Sequence, residues 1–338
     1  MSKKNWFIMY ISTIMIGFLA ACGGSTEDET SATEDEVYEI DFAYGNQPGE
    51  PTDQVAKKWK ELAEEESNGR IKLNTYPSSQ LGDEADVIEQ AQSGSNVIVL
   101  TGYDFLMDYV PDMGILTAPY LVDDFDELLY LTTTDWFQGL ESDLEDEGLG
   151  IISTDNIYGS RNLMTKEEVL TPGDLQGKRI RTPDNDMAIN SFEALGASPT
   201  PLALDELYPS LQQGVVDGAE NPLVVLEGTK THEVTDYLAL TEHQKFITPW
   251  VAGTSFLETL PEDIRTILED TADEAAANSE ELVKESNEEV LETFEEEGIT
   301  IHEVDQEPFK EKAMDMYEEM DQWSPELYEK VQELLNER

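Results

Sequence analysis

From Tyr38 onward, short segments with a two-residue apolar period alternate with segments whose apolar residues recur at helical spacing. That alternation restricts the chain to an α/β fold with mostly parallel sheets. Tyr38–Phe42 alternates as a strand, and Pro51–Thr52 opens a helix on which Val55, Trp59 and Leu62 share a face before Asn68–Gly69 ends it. Ile71–Thr75 alternates again, and Asp83–Gln92 reads as a short helix. Asn96–Leu100 (NVIVL) is the unbroken apolar run of a strand buried on both faces. Asp124–Leu131, Trp136–Leu144 and a strand at Leu149–Ser153 continue the series. At 338 residues the chain can build two lobes, each with its own core.

A second block begins near Asn156. Arg179–Arg181 is a strand, Asp184–Leu195 a helix stopped by Gly196, and another helix runs from near Asp205 to Gly214. Val215–Pro222 is a short strand breaking into a turn. Between Pro261 and Gly298 there is no further Pro or Gly, so a helix over that stretch would be roughly 55 Å long. It either lies on one lobe's surface or crosses both, and its length favours the crossing. Ile299–Ile301 returns as a strand, and one or two amphipathic helices follow from Phe309.

The first residues are a targeting segment. Lys3 and Lys4 precede a mostly apolar stretch, Trp6–Leu19, too short and interrupted for a spanning helix. It ends in Leu19-Ala20-Ala21-Cys22, which resembles the bacterial lipobox, whose Cys is lipidated and becomes the mature N-terminus. Cys22 is the only cysteine, so no internal disulfide can form. The expected organisation is a leader over 1–21 and an acidic tether over 22–36, with the mature protein outside the cytoplasm, held to the membrane by acyl chains.

The chain carries 74 Asp and Glu against 20 Lys and Arg, a formal charge of -54. Nucleic acid is thereby excluded as a partner, because binding its phosphates requires cations. Acidity of this degree suits either a solvated surface in high external salt or the binding of cations. No metal loop is evident: Asp184-Asn185-Asp186 opens like a calcium loop, but Ala188 and Ile189 stand where an acceptor and a Gly are needed.

Against that background, Asp174–Pro183 (DLQGKRIRTP) places three of the scarce cations within four residues. An arginine's planar fork suits a carboxylate, which it can grip through two parallel charge-assisted hydrogen bonds. Arg161, in Tyr158–Asn162 (YGSRN), also follows a strand, and ligands of open α/β sheets gather beyond strand ends. The arginines therefore either form an anion site or pair internally with some of the many acids.

Several segments, in order, resemble the solute-binding proteins of TRAP transporters, the tripartite ATP-independent organic-acid uptake systems of DctP type. They include Tyr76–Asp83 (YPSSQLGD), Thr117–Leu121 (TAPYL), Tyr158–Asn162, Thr171–Pro183, Leu195–Pro201 (LGASPTP), Glu206–Pro222 (ELYPSLQQGVVDGAENP) and His232–His243. The resemblance implies two α/β lobes joined by crossing strands and a long helix, closing over an organic acid that is passed to the membrane subunits of a permease. The lobes would be 37–157 with 247–285, and 158–246 with 286–305, followed by C-terminal helices over 306–338. It puts the family's central carboxylate-binding Arg on Arg181, its second cleft Arg on Arg161 and the motif Asn on Asn221. Tyr158 and Trp250 are expected as cleft walls and Glu84 as a polar contact, while Arg179 takes a structural or surface role. Two departures stand out: Ala219 replaces a common Gln, and Asn96-Val97 replaces the usual Asp of a Gly-x-x-Asp strand.

An enzyme is the first rival reading. His232, His243 and His302 fit no zinc-protease spacing, and no nucleophile elbow, GxGxxG or phosphate loop is present, so neither a catalytic residue nor a cofactor is expected. A binding protein of another transporter or sensor class, on a similar two-lobe fold, is the second.

Overall fold

The computed structural model describes residues 36–338. The expected leader, Cys22 and all but the last residue of the expected acidic tether lie outside them.

The first βαβ unit follows from the sequence pattern. Strand β1 (Tyr38–Ala43) is followed by helix α1 (Pro51–Glu66), which starts at a proline whose missing N–H costs nothing there. Its buried Val55, Ala56, Trp59 and Ala63 form one stripe, and the chain turns back through Asn68 and Gly69, both at positive φ. Strands β2 (Ile71–Tyr76) and β3 (Val97–Leu100) flank β1 in parallel, with α2 (Glu84–Gln92) between them. Helices α3 (Tyr103–Leu106), α4 (Phe125–Thr132) and α5 (Asp135–Asp146) lead into β4 (Leu149–Thr165).

The strand expected over Leu149–Ser153 in fact runs on for 17 residues as β4. Its partner is β8 (Tyr237–Gly253), another 17-residue strand that the local pattern does not reveal. The two run antiparallel along their whole length, interrupted by register shifts around Ser153–Asn156, Ile157–Gly159 and Arg161–Leu163. The end of β8 pairs with β3, whereas the end of β4 pairs with β7 (Gly218–Pro222). Between them in sequence lie β5 (Arg179–Thr182), α6 (Asp186–Ala194), β6 (Ser198–Pro201) and α7 (Leu207–Gln212). The resulting order is β2-β1-β3-β8-β4-β7-β5-β6, so β8 and β4 are the seam between the early and the late strands. Helix α8 (Leu223–Gly228) follows β7 directly, and α9 (Thr254–Leu257) follows β8.

One continuous helix from Pro261 to Glu297 does not form. The stretch divides into α10 (Glu262–Ala276) and α11 (Ser279–Glu296), broken at Ala277–Asn278. The cause is a tertiary contact: the buried Ser279 hydroxyl accepts the Ile157 N–H at 2.9 Å, so the chain is pinned to β4 at the break. The helices still succeed one another along β4, α10 against α1 and α11 against α8. Strand β9 (Thr300–His302) pairs with β8, and α12 (Glu307–Glu319) and α13 (Leu327–Asn336) close the chain. Beneath α1, Phe42, Trp59 and Trp250 form an aromatic cluster, and Trp59 Nε1 donates to the Leu268 carbonyl at 3.1 Å. Edge and tilted contacts of this kind add to burial.

Candidate functional site

The interior of β4, where Arg161 sits within the strand and not after it, and the ends of β5 and β7 meet the starts of α2 and α3 around a cavity of about 260 Å³. Five of the six residues expected at a ligand site line it: Arg181, Arg161, Asn221, Tyr158 and Glu84. The sixth, Trp250, does not. It is fully buried in the core beneath α1, its ring 4.6 Å from Trp59 and 5.0 Å from Phe42. In the register it lies between Leu100 of β3 and Ser153 of β4. A large apolar ring in a strand flanked on both sides is core, and the aromatic residue of β8 that does face the cavity is Phe246.

The two arginines differ in how their charge is met. Arg161 is locked to Glu220 by a two-pronged pair, Nε to Oε2 at 2.5 Å and Nη2 to Oε1 at 2.6 Å, with both side chains buried. Its guanidinium carbon sits 4.9 Å from the centre of the Phe246 ring. His243 Nε2 lies 3.3 Å from Glu220 Oε2. Burial would raise the Glu220 carboxyl, but Arg161 and then His243 hold it down at about 2. Internal pairing with an acid thus describes Arg161.

Arg181 has no such partner. Only 3% exposed, it donates from Nε and Nη2 to one carbonyl oxygen, that of Leu202, at 2.9 and 2.6 Å. It forms no ion pair among the described residues. Burial pushes its guanidinium down to about 10, against the pull of Glu220. Its two neighbours in DLQGKRIRTP are spent elsewhere: Lys178 pairs with Glu167, and Arg179 holds Asp217 in a fork at the surface. On β7, two residues beyond the Ala219 that pairs with Arg181, Asn221 Nδ2 is a buried donor with no hydrogen-bond partner among the described residues. Buried donors in this condition are rare.

Acceptors come from the early elements. Glu84 opens α2, and its Oε1 accepts from Thr101 Oγ1 at 2.6 Å and from the Gly102 N–H at 3.0 Å. Glu84 keeps some solvent contact through the cavity, yet its carboxyl is enclosed by protein, and burial with nearby Asp104 pushes it up to about 7. Asp104 accepts from Asn185 Nδ2 at 2.8 Å on Oδ2, while Oδ1 is buried without a partner among the described residues. Burial raises this carboxyl to about 6. Gly102 makes the arrangement possible, because a Cβ there would collide with Asp104 Oδ1 and the tip of the Phe246 ring. Tyr158 Oη accepts from Asn46 Nδ2 at 3.2 Å, and Asn46 also donates to Glu50 at 2.7 Å.

Sequence reasoning misses Asp104, Glu220, Asn46 and Phe246. Glu220 had a signal, since a buried arginine requires a counter-ion and Glu220 adjoins Asn221 in the same motif. Asp104 is one acid among 74, and nothing in its neighbourhood distinguishes it. Asp184-Asn185-Asp186 proves to be a helix entry: Asn185 Oδ1 accepts the Ala188 N–H at the start of α6.

A cavity between two sets of strands that share a pair of long crossing strands defines a periplasmic-binding-protein type of fold. The chain belongs to the DctP family, bacterial extracellular solute-binding protein family 7, whose model matches residues 42–322. A TRAP periplasmic solute-binding protein from Actinobacillus succinogenes, solved with bound L-galactonate, is 40% identical with a TM-score of 0.87, covering 89% of this chain and 100% of that one. Another from Ochrobacterium anthropi, solved with L-fuconate, is 42% identical with the same TM-score and coverage. The sialic acid-binding periplasmic protein SiaP of Vibrio cholerae is 30% identical over 79% of this chain and 83% of its own length.

Proposed function

We propose that this protein captures a carboxylate-bearing organic acid, such as a sugar acid or C4-dicarboxylate, by closure of two lobes, and delivers it to the membrane subunits of a TRAP permease. It binds its solute and does not transform it. The observation that carries this reading is Arg181, a buried guanidinium at the cavity wall with no carboxylate of its own. A charge left in that state is costly unless a ligand supplies the counter-ion. At an effective dielectric of about 20, an opposite charge at about 4 Å is worth roughly 4 kcal/mol before desolvation is subtracted. The acids bound by the Actinobacillus and Ochrobacterium relatives support a sugar acid in particular.

The lobes of this reading are 37–157 with 247–285 and 158–246 with 286–305, so that the chain crosses within β4 and β8. The tail, 306–338, forms C-terminal helices that pack on α6 and α4. Residues 1–21 act as a lipoprotein signal peptide, and Cys22 carries the acyl chains that hold the protein outside the cytoplasm. Replacing Cys22 by Ser is expected to release the protein from the membrane fraction, and retention there would refute the anchor.

The capture itself is tested by unfolding the protein in the presence of a panel of organic acids. A ligand that binds only the native state stabilises it by about 2.7 kcal/mol at a hundredfold excess over Kd. Stabilisation by one class of acid is expected. An unfolding midpoint that no acid moves, in protein freed of any carried-over ligand, would refute the reading.

A further inference from the structure

We propose that the cavity selects a two-ended ligand, a monocarboxylate whose far end donates hydrogen bonds, and that Asp104 is the acceptor that selects it. The inference deepens the carboxylate-capture reading and rests on it. Two buried polar atoms at the cavity are left unsatisfied, and they are opposite in kind. Asn221 Nδ2 is a donor on β7, two residues beyond the Ala219 that pairs with Arg181 of β5, and both side chains line the cavity; Asp104 Oδ1 is an acceptor on α3, at the same cavity wall as Glu84 of α2. The exposures of Asn221 and Asp104 are 2% and 4%, so bulk water does not serve either one. A ligand that satisfies both must accept at the β5–β7 side and donate at the α2–α3 side.

Asp104 is also held in place for this purpose. Asn185 Nδ2 fixes its other oxygen at 2.8 Å, and Asn185 is itself fixed as the cap of α6. Gly102 leaves the space that Oδ1 occupies. A second carboxylate on the ligand would set acceptor against acceptor here, with the like charge of Glu84 close by. Hydroxyl groups or an ammonium group would satisfy Oδ1 instead. Rejection by an unmatched buried polar group discriminates more sharply than any change in apolar contact.

The test is isothermal titration of the full chain at about pH 8, where Asp104 and Glu84 are ionised, with four probes. L-galactonate offers hydroxyl donors, 6-aminohexanoate an ammonium donor, and galactarate and succinate a second carboxylate. The tighter of the first two is expected to bind at least about tenfold more tightly than either diacid. Asp104→Asn, which puts an amide donor where an acceptor stood, is expected to shrink that ratio by at least about tenfold. A diacid that binds wild type as tightly as the best monoacid overturns the inference alone, without reference to any variant. An unchanged ratio in folded Asp104→Asn does the same. If none of the four binds, this inference falls, and the carboxylate-capture reading falls with it only where no acid of the unfolding panel moves the midpoint either.

Discussion

Arg161 and Glu220 form a closed fork at 2.5 and 2.6 Å in which each side chain neutralises the other. Breaking such a buried pair from one side leaves a charge that nothing compensates. Glu220→Gln is therefore expected to destabilise the protein by about 3–5 kcal/mol in urea unfolding. A loss below about 1 kcal/mol, the range of a surface pair, would show that Arg161 finds another partner.

The same logic gives Arg181 the opposite sign. Its charge is buried and unpaired, so replacing it with a chain of similar length and no charge removes a cost. Arg181→Met is expected to leave the ligand-free protein as stable as wild type or more so, by about 1–2 kcal/mol, despite losing the bonds to Leu202. A large loss of stability would mean that Arg181 is a structural residue.

Stability without ligand should peak in mild acid. Glu84 is raised to about 7, Asp104 to about 6 and buried Glu50 to about 7. For each, the folded state holds its proton more tightly than the unfolded chain, so stability present below the ordinary carboxylate range is lost as pH rises through about 6–7. Glu220, held at about 2, works the other way: its contribution is present above the ordinary carboxylate range and is lost as pH falls toward about 2. Thermal unfolding across pH 3–8 should show a maximum near pH 4, where the loss from the three raised carboxyls and the gain from Glu220 balance, and Glu84→Gln with Asp104→Asn should flatten its alkaline side. A midpoint that rises steadily from pH 5 to pH 8 would contradict the sign.

The formal charge of -54 repels an anionic ligand at long range. Salt shortens that repulsion from about 30 Å at 0.01 M to about 3 Å at 1 M. Stopped-flow association should accelerate as sodium chloride is added. Rates that fall with salt would show that local cations, and not the whole-protein field, guide the approach.

Much of this molecule is legible in its sequence because local pattern and burial agree. The helix at Pro51, the turn at Asn68–Gly69 and the apolar NVIVL strand each follow from near neighbours in the chain. The strand β8 was hidden because it is buried along most of its length and mixes Thr, Gln, Lys and His with aromatics, so no two-residue alternation marks it. The break at Ala277–Asn278 depends on a bond from Ile157 to Ser279, 122 positions apart, which helix propensity cannot report. For the site, motif order located Arg181, Arg161 and Asn221. Which arginine is already neutralised depends on Glu220, and Asp104 depends on a bond from Asn185, 81 positions away.

The most direct test compares Arg181→Met with Arg179→Met, two arginines from one strand, only one of which faces the cavity. Titration of wild type with the acid that stabilises it most supplies the reference affinity. Arg181→Met is expected to lose binding by about a hundredfold or more, and Arg179→Met to keep it within about threefold. Undiminished binding by folded Arg181→Met would contradict the assignment of Arg181 as the carboxylate's counter-ion.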